Sequence, residues 1–309
     1  MILVSGEALI DLIPDPAKAS AYDAVLGGSP FNVAIGLARL GAPTAFVCRL
    51  STDGNGEALA AALAGNGVDL SFVALDKRPT VLAFVMRGTA KTGSRYSFYL
   101  DGTAYDGPWP FPAEWPKAAR HLHVGSFGAI ERHGPAVIEA LRLASSRATV
   151  SLDPNIRPFV TPDREAVVKM IEREVALSTL VKASEEDLEW LYPGRAIEAS
   201  LAAWTRMGPR FCVATLGERG ALAILREERI EVPAPRVEVV DTVGAGDSFM
   251  SALLAAMDRD RALGPDAPTT SRTGLRTWLG FAAAASAITC TRKGSDPPTR
   301  KEVEAALAG

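Results

Sequence analysis

The chain has 309 residues, of which 48% are hydrophobic and 22% charged, and its formal charge at pH 7 is −3. This composition is that of an ordinary globular protein, and the small negative charge excludes a strongly basic nucleic-acid or membrane-surface binder. Three cysteines without a CxxC pair, Cys48, Cys212 and Cys290, predict reduced, structural thiols. The N-terminal sequence lacks the basic start of a signal peptide and no apolar run approaches a membrane span, so we expect a cytoplasmic location.

The first part of the chain alternates strands and helices until a β-rich segment interrupts it. An apolar strand begins at Ile2, and Asp11 follows where strand gives way to loop, the place where ligands bind an open α/β sheet. The next predicted elements are a helix over 31–40, a strand over 44–50 and a helix over 57–66. Two strands, 80–87 and 96–99, then follow each other across the polar sequence GTAKTGS without a helix between them. They predict a small β lid over a site, or alternatively an extra edge hairpin.

From residue 121 the alternation resumes, and its repeated βα units predict a mostly parallel sheet with helices on both faces. The predicted strands are 121–125, 149–153, 180–183, 211–215, 221–225, 230–232 and 237–240. The predicted helices are 135–145, 163–176, 185–191, 196–207, 248–257, 277–291 and one from residue 299. His121 and His123 alternate along one strand and share a face, which favours a packed role over a metal site. No linker divides the chain, so we expect a single domain over 1–309 with a lid formed by about 12–25 and 78–105.

The sequence VEVVDTVGAGDSF at 237–249 is the most informative stretch, because its order is strand, glycine-rich turn and helix. Glycines at 244 and 246 would let consecutive backbone N–H groups converge at a helix N-terminus, where an anion is favoured. Asp247 adds a carboxylate beside that anion site. It could remove a proton from a hydroxyl while the N–H groups stabilise a transferring phosphoryl group. The alternative is an Asp that only caps the helix.

Two motifs at opposite ends of the chain carry a family resemblance. No GxxxxGK[ST] loop is present, and no GxGxxG follows the first strand. Instead, GGSPFNVA at 27–34 and DTVGAGDSF at 241–249 resemble the two signatures of the ribokinase-like (PfkB) carbohydrate kinases, over essentially the whole chain. The resemblance implies a three-layer α/β/α sandwich with a mostly parallel sheet and a β lid. It also implies an ATP-dependent sugar kinase with Asp247 as catalytic base and an anion hole formed by Gly244, Ala245 and Gly246.

The resemblance further implies the residues that contact the substrates. Carboxylate, amide and glycine positions near the N-terminus would bind sugar hydroxyls, and they are Asp11, Gly27, Gly28 and Asn32, with Asp247 at the reacting hydroxyl. Positions on the C-terminal side would bind ATP, and they are Lys182, Ser184, Thr215, Gly217, Gly220, Gly244, Gly246 and Ala284, with Ser286 and Ala287 as further adenine contacts. Plain helix packing is the alternative for the alanines.

The metal sites follow from the same resemblance, with one departure. Many family members carry an NxxE motif that helps hold Mg²⁺ through water, whereas this chain has Ser184-Glu185-Glu186-Asp187. The role would then fall to Glu186 or Asp187, with Glu185 as a further candidate. The alternative is a helix start capped by Ser184. A monovalent cation, K⁺, is implied next to the anion hole at Asp241 and Ser295.

The substrate is inferred from four stretches that resemble the bacterial fructokinase branch: GEALIDLIP, GGSPFNVA, DPNIRP and TRKGSDP. Arg157 of DPNIRP could contact substrate or phosphate, or form only a surface ion pair. A 2-keto-3-deoxygluconate kinase is the alternative, in which Arg157 would bind the sugar carboxylate; another sugar or nucleoside kinase also stays open. A non-catalytic sensor is disfavoured because Asp247 is intact. Sugar and ATP are the expected partners, and the exposed lid strands suggest a homodimer, with a monomer as the alternative.

Overall fold

The computed structural model describes residues 1–15, 18, 20–86, 95–126, 133–158 and 163–308. The strands of this part are β1 (Ile2–Ser5), β2 (Leu9–Pro14), β3 (Tyr22–Gly27), β4 (Thr44–Ser51), β5 (Val73–Asp76), β6 (Leu82–Met86), β7 (Arg95–Tyr99), β8 (His121–Gly125), β9 (Thr149–Asp153), β10 (Leu180–Ser184), β11 (Phe211–Thr215), β12 (Ala221–Leu225) and β13 (Glu228–Val232). The helices are α1 (Ser29–Arg39), α2 (Gly54–Gly65), α3 (Gly134–Ser145), α4 (Arg164–Leu177), α5 (Glu185–Leu191), α6 (Ile197–Met207), α7 (Ala245–Arg259), α8 (Arg272–Cys290) and α9 (Arg300–Ala308).

The main sheet has nine strands in the order β13-β12-β11-β10-β9-β8-β1-β4-β5. All neighbours from β10–β11 through to β4–β5 pair in parallel, and only β12 and β13 join antiparallel. The strand order reverses at β1, which has β4 on one side and β8 on the other. In open α/β sheets, ligands bind at the carboxyl ends of the strands near such a reversal. The topology therefore places the site at the ends of β1, β8, β9, β10 and β11.

Alternating side chains of the parallel strands pack into two hydrophobic cores, one on each face of the sheet. Ile2 and Val4 of β1 belong to a core shared with α1, α2, α7, α8 and α9, whereas Leu3 belongs to a core shared with α3, α4, α5 and α6. This is the pattern of a parallel sheet buried on both faces. The predicted three-layer α/β/α sandwich is confirmed.

A second sheet has the strand order β3-β2-β6-β7 and forms the predicted small β sheet. The sequence placed Asp11 in a loop, which is wrong: Asp11 lies within β2, opposite Val25 of β3 and Ala83 of β6. The cause is that β2 pairs with β3 on one side and with β6 on the other, and only this tertiary pairing makes the short segment LIDLIP a strand. The predicted connection 88–94 lies outside the described residues.

The predicted strand 237–240 is also wrong. Val239 and Val240 are 59% and 63% exposed, and the Val240 N–H donates to the Cys290 carbonyl at the end of α8 rather than to a neighbouring strand. β13 ends just before Pro233, and a β-branched run without a partner strand cannot form a ladder. The short edge strand β5 was not predicted. No helix in the described ranges is long and apolar enough to cross a membrane.

Candidate active site

Asp247 lies at the centre of the site, in the first turn of α7. The helix is capped by Gly244, whose φ of 75° is left-handed, and a Cβ there would lie 2.1 Å from the Ser295 hydroxyl. Glycine is therefore required at this position on two grounds, conformation and space. Ser248 N–H makes the first intrahelical bond, to the Gly244 carbonyl, so the N–H groups of Gly246 and Asp247 have no acceptor within α7. Free N–H groups at a helix N-terminus favour an anion, and the anion hole stays a prediction from the sequence.

The carboxylate of Asp247 is held by the start of a second helix. The Ser29 hydroxyl donates to Oδ1 at 2.6 Å, and the Asn32 amide donates to Oδ2 at 2.8 Å. Both donors lie in the first turn of α1, which packs along α7 so closely that a Cβ on Gly36 would meet Ser251 Oγ at 2.4 Å. Burial raises the pKa of Asp247, and the hydrogen bonds from Ser29 and Asn32 oppose that rise. The arrangement fixes a basic carboxylate in one orientation.

A buried lysine lies beneath the glycine turn. Lys182 Nζ is 2.6 Å from Asp153 Oδ2, with the two side chains 5% and 1% exposed, and it lies 3.3 Å from the position of a Cβ on Gly246. Burial alone would lower the pKa of Lys182, but the charge and hydrogen bond of Asp153, with contributions from Asp187 and Asp247, raise it. A permanent cation therefore lies beside the anion turn. The sequence predicted Lys182 as a nucleotide contact and missed Asp153, although Asp153 ends a predicted strand as a site residue does.

The sugar-binding candidates lie within electrostatic reach of Asp247, in a region that we call the sugar wall. Burial raises the pKa of Asp11 to about 6 and that of Glu7, which is 3% exposed, to about 7; the nearby Arg157 charge opposes both rises and Asp247 reinforces them. Gly27 leaves room for Asp11, since a Cβ there would lie 2.4 Å from Oδ2. Together with Asp247, Glu7 and Asp11 thus place three carboxyl groups beside the guanidinium of Arg157. Glu7 was not predicted as a site residue.

Arg157 and Gly28 also shape the sugar wall, Arg157 through its side chain and Gly28 through its backbone. Arg157 Nη1 donates to the side-chain and main-chain oxygens of Asn155 and to the carbonyl of Ile156. Arg157 therefore also stabilises its own loop, in which Asn155 adopts a left-handed φ of 42°. Gly28 has a φ of 108° and would clash with the Glu7 carbonyl if it carried a Cβ.

The lid reaches the cleft through Tyr96 of β7. Its hydroxyl is close enough to feel the charges of Asp11, Arg157, Asp241 and Asp247, and burial is the main cause of its raised pKa. The sequence identified the lid strand but could not show which alternating side chain faces inward.

The candidate nucleotide loop lies at the end of β11. Thr215 ends the strand, and Gly217 and Gly220 have left-handed φ values of 56° and 93°. A Cβ on Gly220 would lie 2.1 Å from the Val232 carbonyl, so this glycine lets the loop return against β13. Ala284, by contrast, is 2% exposed in the core shared by α7 and α8, which favours its packing alternative.

The acidic start of α5 is a capping box. Ser184 Oγ accepts from the Asp187 N–H, while the two Asp187 carboxylate oxygens accept from the N–H groups of Ser184 and Ile156. The structure thus gives Asp187 a capping role, and its role toward magnesium stays a prediction. Glu186 is exposed and has no polar partner in the described part of the chain, whereas Glu185 pairs with Arg219.

The candidate cation site next to the anion turn contains two predicted residues. Asp241 accepts from the N–H groups of Val243 and Gly294, which ties the α7 turn to the segment after α8. Ser295 Oγ is buried against Gly244 without a hydrogen-bond partner among the described residues.

The histidines and cysteines are not part of the candidate active site. His121 bonds Thr149 and Ser151 through its two ring nitrogens, and His123 bonds the same Ser151 hydroxyl, so the predicted packed role is confirmed. Burial lowers the pKa of both imidazoles, which keeps them neutral. The three cysteines are unpaired.

Comparison with known proteins identifies the family of this chain. Residues 1–302 match the model of the "pfkB family carbohydrate kinase". The chain is 39% identical over 270 residues to a fructokinase of Rhizobium leguminosarum bv. trifolii, covering 85% of this chain and 81% of the relative. Among solved structures, fructokinase with bound ATP from Xylella fastidiosa has a TM-score of 0.85 at 26% identity, covering 99% and 98% of the two chains. Fructokinase from Vibrio cholerae O395 with fructose, ADP and calcium has the same TM-score at 25% identity, with the same coverage.

The chain belongs to the pfkB family of carbohydrate kinases. It is an ATP-dependent sugar kinase, and the predicted family resemblance is confirmed.

Proposed function

We propose that this kinase transfers the γ-phosphoryl group of ATP to a hydroxyl of fructose, with Asp247 as the general base. The observation that carries the proposal is the buried Asp247 carboxylate, oriented by Ser29 and Asn32 next to the free N–H groups of the glycine turn. The fructokinase relatives support the choice of sugar.

The reaction follows from this geometry. The sugar hydroxyl gives its proton to Asp247, its oxygen forms the new bond to the γ-phosphorus, and the bond to the departing ADP breaks. The N–H groups of Gly246 and Asp247 and the ammonium of Lys182 stabilise the charge on the transferring group, whereas the Ala245 N–H of the predicted anion hole already donates to the Thr242 carbonyl. Asp11 and Asn32 bind sugar hydroxyls beside Gly27 and Gly28, and the segment from Thr215 to Gly220, with Ser184, receives the nucleotide.

The residues present fit two cations. Glu186 keeps a free carboxylate at the start of α5 and would hold Mg²⁺ through water, with Asp187 behind it as a buried cap. The ion, when bound, supplies positive charge to the ATP phosphates. The Ser295 hydroxyl, which has no hydrogen-bond partner in the described part of the chain, and the nearby Asp241 offer the hard oxygen ligands that K⁺ requires. A cytoplasmic location and a homodimer through the lid remain predictions.

The charges of the sugar wall favour a neutral sugar over a sugar acid. Asp11, with a pKa of about 6, and Asp247 oppose the carboxylate of a sugar acid, whereas Glu7, with a pKa of about 7, is only partly ionised near neutral pH. Arg157 is the basic group that acts on Glu7 and Asp11. A 2-keto-3-deoxygluconate kinase is the second candidate, because Arg157 faces the same wall and could bind an acid. The negative charge of Asp11 and Asp247, to which Glu7 adds as the pH rises above about 7, outweighs the guanidinium of Arg157 and favours fructose.

The test is ADP release from Mg-ATP with potassium, in the presence of fructose, 2-keto-3-deoxygluconate, ribose, adenosine or no sugar. We expect fructose to give the highest kcat/KM. Asp247→Asn should lower kcat by about 10² to 10⁴-fold with little change in the KM for fructose. Asp258→Asn, at the other end of α7, is the matched control and should stay active. A preference for the keto-acid would instead support the second candidate, and an active Asp247→Asn variant would exclude Asp247 as the base.

A further inference from the structure

A cleft lies at the amino end of β11, beside the turn between β12 and β13, whereas the candidate active site lies at the carboxyl ends of the strands. It has a volume of about 510 Å³, and its lining includes Arg206, Arg210, Arg226, Glu227, Thr269 and Thr270. Arg206 belongs to the last turn of α6, Arg210 directly precedes β11, and Arg226 starts the turn between β12 and β13. The threonines lie in the connection before α8. The volume is within the range of small-molecule pockets.

The arginines of this cleft are not neutralised by neighbours. Arg206, Arg210 and Arg226 form no ion pair or side-chain hydrogen bond with any residue in the described ranges, unlike Arg229 and Arg272 on the same side of the molecule, which pair with glutamates. Glu227 is the acidic residue of the lining, so the wall carries a formal charge of about +2 on a protein of net charge −3. This local surplus of positive charge favours an anion.

Arg226 adds a conformational argument. Its φ is 59°, in the left-handed region, at a β-turn position where glycine or asparagine is preferred. An arginine there costs the fold some stability, and its side chain lines the cleft.

We propose that this cleft binds a small phosphorylated compound. Guanidinium groups bind phosphate oxygens through paired N–H donors, and three of them around one cavity can hold a phosphate ester while the threonine hydroxyls donate further hydrogen bonds. The site is separate from the active site. Arg210, at the cleft, directly precedes β11, and Thr215, at the nucleotide loop, ends it. The two residues are about 16 Å apart along the strand, at ~3.3 Å per residue. The phosphate could belong to a sugar phosphate or to a nucleotide.

The test is isothermal titration with the active site already filled by saturating ADP and fructose. The probes are fructose 1,6-bisphosphate for sugar phosphates and AMP for nucleotides, with glucose as a neutral control. We expect one of the two phosphorylated probes to bind with a stoichiometry of about one, more weakly as salt increases. The probe that binds identifies the source of the phosphate. If neither binds, the proposal is wrong.

Variants assign the binding to the cleft. Arg206→Ala combined with Arg210→Ala should weaken binding of the positive probe at least tenfold. Arg142→Ala combined with Arg147→Ala removes two exposed arginines elsewhere and should leave the affinity unchanged. Arg226→Gly should weaken binding while relaxing the turn, so that lower affinity cannot be ascribed to a damaged fold. Equal affinity in the cleft variants and the control would overturn the proposal.

Discussion

The buried pair of Lys182 and Asp153 gives the sharpest test of how this site is built. Asp153→Asn keeps the shape of the side chain but leaves the Lys182 ammonium, 5% exposed, without its nearest counter-charge. Removing one partner of a buried pair costs about 3 to 5 kcal/mol. Asp187 and Asp247 still act on Lys182. We therefore expect the lower end of this range, a loss of ~3 kcal/mol in the free energy of unfolding. At ~2 °C per kcal/mol for a large domain, Tm should fall by ~6 °C.

A double variant separates stability from catalysis. Lys182→Met combined with Asp153→Leu replaces the pair by apolar side chains, which typically restores most of the stability. The cation beneath Gly246 is nevertheless lost, so kcat should stay reduced by ~10²-fold. Tm would be measured by calorimetry and kcat by ADP release.

The control is an ion pair that is exposed on the surface instead of buried. Glu198→Gln breaks the exposed pair with Arg229 and should change the free energy of unfolding by less than about 1 kcal/mol. An Asp153→Asn variant with unchanged Tm, or a double variant with full kcat, would refute the reasoning.

Three further predictions follow from other buried groups. Ser29→Ala removes a hydrogen bond that stabilises the Asp247 carboxylate, so the pKa of Asp247 should rise and the acidic limb of the kcat profile should move to higher pH; an unmoved limb would contradict this. Gly244→Ala introduces a Cβ at 2.1 Å from Ser295 Oγ at a left-handed φ, so kcat should fall at least tenfold while the circular dichroism of the fold persists. Glu174 is fully buried with neither carboxyl oxygen bonded to a described residue, and burial raises its pKa well above the ordinary value. The folded state therefore binds the proton more tightly than the unfolded state, stability should fall as pH rises above about 4.5, and Glu174→Met should raise Tm at pH 8 and flatten that dependence.

The sequence was most informative where function depends on a local motif. Gly244, Gly246 and Asp247 are adjacent in the chain, so the conformation that joins turn, helix start and carboxylate is determined within a few residues. Asn32 follows a glycine pair and a proline that start α1. Local signals of this kind predict both the element and the side chains at its first turn.

The sequence was less informative where the formation of a strand depends on pairing with a segment far away in the chain. The run 237–240 has the composition of a strand but no neighbour to pair with, whereas β2 and β3 become strands only because β6 completes their sheet. Ser29, Glu7 and Asp153 were not predicted as site residues, because a serine at a helix start is common for capping alone and a carboxylate near the end of a strand carries no local signal of its distant partner. Their roles arise from contacts with residues far away in sequence.

The hydrogen bonds to Asp247 also have a consequence for how the enzyme is made. Ser29 and Asn32 are separated from Asp247 by 218 and 215 residues. Their hydrogen bonds to Asp247 can therefore form only after α7, one of the last helices, has been synthesised. Closing so long a loop is slow, and its entropy is recovered only when α7 docks on α1. A nascent or truncated chain lacking α7 therefore lacks Asp247, the proposed catalytic base, however well its first strands have assembled. During refolding, phosphoryl transfer should appear with the final docking step, which makes activity a direct reporter of completed assembly.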